Sequence, residues 1–142
     1  MFKKVTVLLI TFILISSNVS AKTNIDIEIF DISKEKVIMN VPSNPTMQKE
    51  VENYLEGIKS MYCKFNPIPD KGYMIKIPLE NPAMVQNEFI NTFVDVVIII
   101  FPKGEEPYLM VFDDKDRMIF FTFQGDTDTL IKSLNLNPST LQ

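Results

Sequence analysis

The sequence predicts an α+β fold: a single domain with a mainly antiparallel sheet, a central three-stranded meander over residues 94–123, and two to three covering helices. Three observations carry that expectation. Val94 to Phe123 reads VDVVIIIF, PKGEEP, YLMVF, DDKD, RMIFFTF, three apolar runs of strand length rich in β-branched and aromatic residues and parted by short polar links. Alternation within those runs is poor, so both faces of the meander need cover. Along the whole chain the order strand, strand, helix, strand, helix, three strands, helix suits an α+β domain.

The chain opens MFKKVTVLLITFILISSNVSAKT. Lys3 and Lys4 make a basic start, Val5 to Ile15 an apolar run, and Val19-Ser20-Ala21 a small-residue cleavage motif, so residues 1–21 are expected to be a signal peptide. The apolar run is too short to span the roughly 30 Å of a hydrocarbon core. No Cys directly follows the cut, which disfavours a lipid anchor. Residues 22–142 are therefore expected to form one domain of a secreted or extracytoplasmic (cell envelope) protein, with no stable membrane insertion after cleavage. Loss of two lysines takes the formal charge from −4 to −6 and leaves no basic cluster. Nucleic acid and anionic membranes are thereby disfavoured as partners, because both demand clustered Lys and Arg.

Taken in order, Asn24 to Ile32 alternates Ile25, Ile27 and Ile29 with Asp26, Glu28 and Phe30, the period of a half-buried outer strand. A polar link, Ser33 to Lys36, allows Val37 to Val41 to return as a hairpin partner. Ser43-Asn44-Pro45 is a helix start. Behind it Met47, Val51, Tyr54, Leu55, Ile58, Met61 and Tyr62 recur at helical steps, predicting a helix over 45–62 that covers one sheet face. Phe65 to Gly72 holds two prolines and a closing glycine and reads as a loop. Tyr73 to Leu79 is a strand interrupted at Pro78. Asn81-Pro82 repeats the cap-then-proline signature, and Val85, Phe89, Phe93 and Val96 follow at helical spacing, predicting a second helix over 82–93. If that segment is strand instead, the sheet is larger and more exposed. After the meander, Asp126 or Thr127 can cap a short helix carrying Leu130, Ile131 and Leu134.

Much chemistry is excluded by composition. Without histidine there is no Ser-His-Asp triad, Cys-His dyad, HExxH zinc site or imidazole base. One cysteine and no histidine make a zinc or copper site improbable, and no metal, cofactor or catalytic residue is assigned. Asp113, Asp114, Asp116, Asp126 and Asp128 lie close in sequence, but EF-hand spacing is missing, and Asp113 to Asp116 reads more simply as a hairpin tip. Neither phosphate-loop pattern occurs. Cys63 stands alone. It is expected to pack at the end of the first helix, with a bond to another chain or a reactive thiol as the alternatives.

Pro107-Tyr108 to Gly125, continued by the helix to Leu134, resembles the closing half of thioredoxin-like domains, in which a proline precedes strand, turn, strand, glycine and helix. Departures confine it to those residues. There is no CxxC, Cys63 falls near the end rather than the start of its expected helix, and Phe101 to Pro107 is shorter than the family's intervening helix. No catalytic residue carries over.

These features imply a non-enzymatic binding or protein-interaction module. The alternatives are a thiol-dependent redox accessory or enzyme centred on Cys63, and an inhibitor-type protein using the Phe65–Gly72 loop. One apolar set on the meander is Val97, Ile99, Phe101, Leu109, Val111, Ile119, Phe121 and Phe123. The other is Val96, Ile98, Ile100, Tyr108, Met110, Phe112, Met118 and Phe120. A set left open invites a homodimer or another protein partner on the meander face.

Overall fold

A computed structural model describes residues 25–137. The signal peptide expected at residues 1–21 lies outside the described residues. The described chain is a single antiparallel sheet of seven strands with two short helices. In chain order these are β1 (Asp26–Asp31), β2 (Lys36–Pro42), α1 (Pro45–Glu56), β3 (Ile58–Met61), β4 (Gly72–Gln86), β5 (Asn91–Pro102), β6 (Tyr108–Phe112), β7 (Met118–Phe123) and α2 (Asp128–Ser133). The strands lie in the order β2-β1-β4-β5-β6-β7-β3. All their pairings are antiparallel. The thioredoxin-like resemblance therefore ends with β6, β7 and α2, since that family is built around a parallel βαβ unit.

β2 and β3 occupy opposite edges, so the segment joining them must cross the sheet, and α1 is that crossing. Asn44 starts it: its side chain accepts from the Met47 N–H at 2.9 Å, and Pro45 fills the first turn. Met47, Val51, Tyr54 and Leu55 are buried against Ile27, Ile29, Ile75, Ile77, Val97, Ile99, Leu109, Val111 and Phe121. α2 adds Leu130, Ile131 and Leu134 to the same cluster. Both helices thus cover one face, called inner below. Each of these aliphatic side chains taken out of water stabilises the fold by about 1.5–3 kcal/mol.

The first helix is shorter than its apolar period suggests. It stops at Glu56, because the backbone of Gln124 lies against Gly57, donating its N–H to Gly57 O at 2.7 Å. A Cβ at Gly57 would overlap Gln124 O, so only glycine admits β7 this close. Ile58 then pairs with Phe123 and Met61 with Phe121, and 58–61 is strand. A register shift between Ile58 and Ser60 turns the side chains over. Ile58 packs on the inner cluster while Tyr62 packs on the outer one.

The helix expected over 82–93 is a hairpin. β4 runs on past Pro78 to Gln86, and β5 begins at Asn91. Pro78 opposes Val96 and Ala83 opposes Val94, so Leu79 to Pro82 bulge out against Asp95 alone. Both prolines sit where no ladder N–H is needed. Gln48 of α1 clamps the bulge: its Nε2 donates to Pro78 O and to Ser43 Oγ, both at 2.9 Å, and its Oε1 accepts from the Glu80 N–H at 3.0 Å. At the tip, Asn87 Oδ1 accepts from the N–H groups of Phe89 and Ile90, a local turn that replaces the helical bonds. Past the bulge the hairpin folds over the inner face, where Phe89 meets Phe121 with ring centroids 6.0 Å apart. The helical spacing was accidental: Val85 and Phe89 face the core, while Phe93 is 67% exposed.

Candidate interaction surface

The antiparallel register lays the outer face out in rows. Phe30, Met74, Ile100 and Tyr108 form one, Lys76, Ile98, Met110 and Phe120 the next, and Pro78, Val96, Phe112 and Met118 the third. Only Ile100, Tyr108 and Met110 of these are buried. What buries them is a strap of coil, residues 62–71, which leaves β3 at one edge and rejoins the sheet at β4, crossing above β7, β6 and β5.

Several contacts pin the strap. Tyr62 donates its N–H to Phe120 O at 2.8 Å and stacks on Tyr108 with centroids 3.9 Å apart and planes 11° apart. The Tyr108 hydroxyl donates to Pro67 O. Burial, reinforced by Tyr62, pushes that phenol well above its ordinary pKa, so it remains a donor. Lys64 Nζ reaches Glu105 Oε1 at 2.8 Å, and Tyr62 OH reaches Glu105 Oε2 at 3.4 Å. The hydrogen bond from Lys64 holds the Glu105 carboxyl below its usual range, and the same bond raises the Lys64 ammonium. At the far end Lys103 donates to Lys71 O. Pro67 and Pro69 stiffen the middle.

Cys63 lies on this strap immediately after β3 and is exposed. The expected packing at a helix end fails because the helix stops before it. Its neighbour Lys64 is engaged by Glu105, and no group of three or more Cys, Asp or Glu positioned for a metal occurs among the described residues. Phe65 stands wholly in solvent at 106% relative exposure. Sequence reasoning marked the Phe65–Gly72 loop but missed the Tyr62–Tyr108–Glu105–Lys64 cluster that anchors it. The available signal was one tyrosine and two prolines in a loop beside a two-sided apolar sheet that carries a second tyrosine.

Beyond the strap the outer face is bare. Val96, Ile98, Phe112 and Phe120 are half-buried and Met118 is 54% exposed. The backbone edges of the sheet are blunted against strand pairing, although β2 exposes the side chains of Val37, Ile38 and Met39. β2 begins at Lys36, carries a bulge opposite Ile29/Phe30 and ends at Pro42, and β3 is four residues long with a register shift.

Two concavities offer less. One, of about 380 Å³, lies between Glu52, Leu55 and Glu56 of α1 and the Asn81–Asn87 arm. The other, of about 620 Å³, lies between the Pro102–Pro107 turn and the start of α2. Neither is lined by cysteine or serine. Asp113 is spent on structure: its Oδ1 accepts from the N–H groups of Lys115 and Arg117, and Oδ2 meets Arg117 Nε at 2.7 Å. No helix among the described residues is long and apolar enough to cross a membrane. Comparison with protein families, curated proteins and solved structures finds no match.

Proposed function

We propose that this chain is an exported, non-enzymatic protein-interaction module whose contact is the outer face of its sheet. The observation that carries the reading is the bare end of that face, where Val96, Ile98, Phe112, Met118 and Phe120 meet water while both edges are blunted. An apolar patch of several hundred Å² beside a polar surround is the usual mark of an interface. Its core lies on the consecutive antiparallel strands β5, β6 and β7, the meander that furnishes both faces with apolar side chains. Residues 1–21 serve as the export signal, with Lys22 the first residue of the exported chain.

Cross-linking at native abundance tests the contact. The wild-type chain is expected to give a specific protein cross-link from the outer face, either to itself or to another protein, and Phe112→Asp with Met118→Asp is expected to remove it. An identical cross-link pattern in the folded double variant overturns the reading. The thiol-dependent alternative draws on the exposure of Cys63 alone, and Cys63→Ser with no change in cross-linking or in host phenotype removes it.

A further inference from the structure

We propose that the occupant of the outer face is a second copy of this chain, with Phe65 of each strap seated on the bare end of its partner. The inference rests on the outer face being the contact surface and adds its partner. Three features of the molecule carry it.

The first is shape. The strap raises one end of the outer face, over Ile100 and Tyr108, and leaves the other end, around Phe112 and Met118, low. Tyr108 and Phe112 stand four residues apart on β6, about 13 Å at ~3.3 Å per residue. A face with such a step is complementary to itself. A two-fold axis lying across the strands brings the raised end of one copy over the low end of the other, and both steps fill at once.

The second is the state of Phe65. A phenylalanine held in water forgoes the stabilisation of burial, yet the strap that carries it is pinned at Tyr62, Lys64, Pro67 and Lys71. A pinned loop with a free aromatic tip has already lost the entropy that binding would otherwise remove, which is how an anchor residue is prepared. The acceptor it needs is an uncharged apolar patch without deep relief. Val96, Phe112 and Met118 provide one on the same molecule, out of reach of its own strap.

The third is area. Two seated phenylalanines bury roughly 300–500 Å² at 150–250 Å² per aromatic. The patches beneath them lose a comparable area, and the sum of roughly 600–1,000 Å² from these anchors alone stands at the low end of interface size. The seat itself, Val96, Phe112 and Met118, holds no charged side chain. An exported chain of formal charge −6 thus pairs with itself where repulsion is least.

Single-cysteine variants in a Cys63→Ser background test the arrangement, since Phe65 and Met118 are exposed and their replacement leaves the fold intact. Phe65→Cys mixed with Met118→Cys is expected to oxidise mainly to the mixed disulfide, whereas either variant alone cross-links poorly. Sedimentation at micromolar concentrations is expected to show a dimer, and Phe65→Ala to raise its dissociation constant about thirty-fold, the scale of one aromatic hot spot. A monomer at all concentrations, a dimer without the mixed disulfide, or a Phe65→Ala dimer as tight as wild type each overturns the proposal. A cross-link to a different protein that Phe112→Asp abolishes overturns the second copy alone and leaves the contact surface standing.

Discussion

Replacing Gln48 by leucine should separate the β4 bulge from the helix that holds it. The side chain is 8% exposed, and its amide makes three hydrogen bonds, to Ser43 Oγ, Pro78 O and the Glu80 N–H. Gln48→Leu keeps the volume and the helix propensity but removes all three, each worth a net ~1 kcal/mol. Water repays part of the loss, because Glu80 is exposed and Pro78 half-buried. The expected cost is about 2 kcal/mol, a large share of the ~5–15 kcal/mol by which domains are stable. Urea unfolding should show a lower midpoint with an unchanged m-value. Hydrogen exchange should accelerate at the Glu80 amide and across the 83–94 arm, which depends on the bulge for its direction. Gln48→Glu should fall between, because it keeps the acceptor for Glu80 and loses both donors. A Gln48→Leu chain within ~0.5 kcal/mol of wild type, the scatter of surface substitutions, with the Glu80 amide still protected, refutes the clamp.

Other outcomes follow from the same geometry. Gly57→Ala drives a Cβ into Gln124 O and should cost about 1–3 kcal/mol in denaturant unfolding, the range of overpacking, whereas a neutral result means that β7 does not approach the helix end. Asp113 is held below its ordinary carboxylate range first by the Arg117 backbone N–H and then by the Arg117 side chain and the Lys115 N–H. A depressed folded pKa gives stability that is complete above the unfolded value of about 3.9 and is lost as pH falls through the lower folded one. Acid unfolding below that value should therefore be shallower in Asp113→Asn, and an unchanged acid slope would sink the assignment. Cys63 should label in the native protein as fast as a small thiol with the same reagent, and Cys63→Ser should shift stability by less than ~0.5 kcal/mol, while labelling only on denaturation would place the thiol beneath the strap.

How much of this was legible in the sequence depends on how far each residue's fate is decided locally. The β1–β2 pair, the start of α1 at Asn44-Pro45 and the strands at 108–112 and 118–123 follow from alternation, capping and turn residues within a few positions. Both apolar sets on the last three strands are found on opposite faces, Val97, Ile99 and Phe121 inward and Ile98, Met110 and Phe120 outward. The failures sit where distant chain intervenes. Ile58, Met61 and Tyr62 continue a helical period, and what stops the helix is the backbone of Gln124, far along the chain. Val85, Phe89 and Phe93 also match a helical period. There the bulge at 79–82 sets a new strand phase, and it depends on an amide thirty residues earlier. Period alone does not distinguish these cases, because a bulge and a helix both break strict alternation.

The candidate surface was half legible for the same reason. Two-sided apolarity told of an uncovered face, and counting helices against faces posed the question of what covers it. The count assumed that cover means helix. In the structure both helices and the folded-over hairpin arm go to the inner face, and a strap too irregular to have a period takes one end of the outer face. Tyr62 and Tyr108 make the strap hold, and neither advertises the other, since stacking across forty-six positions leaves no local pattern. The exposure of Phe65 was less legible still. An aromatic between Cys63 and Pro67 reads as core material unless the strap is known to lie flat with its backbone toward the sheet, as the bond from Tyr108 to Pro67 O requires. Once the strap lies that way, Phe65 has no interior to enter, and its burial becomes a matter for a second molecule.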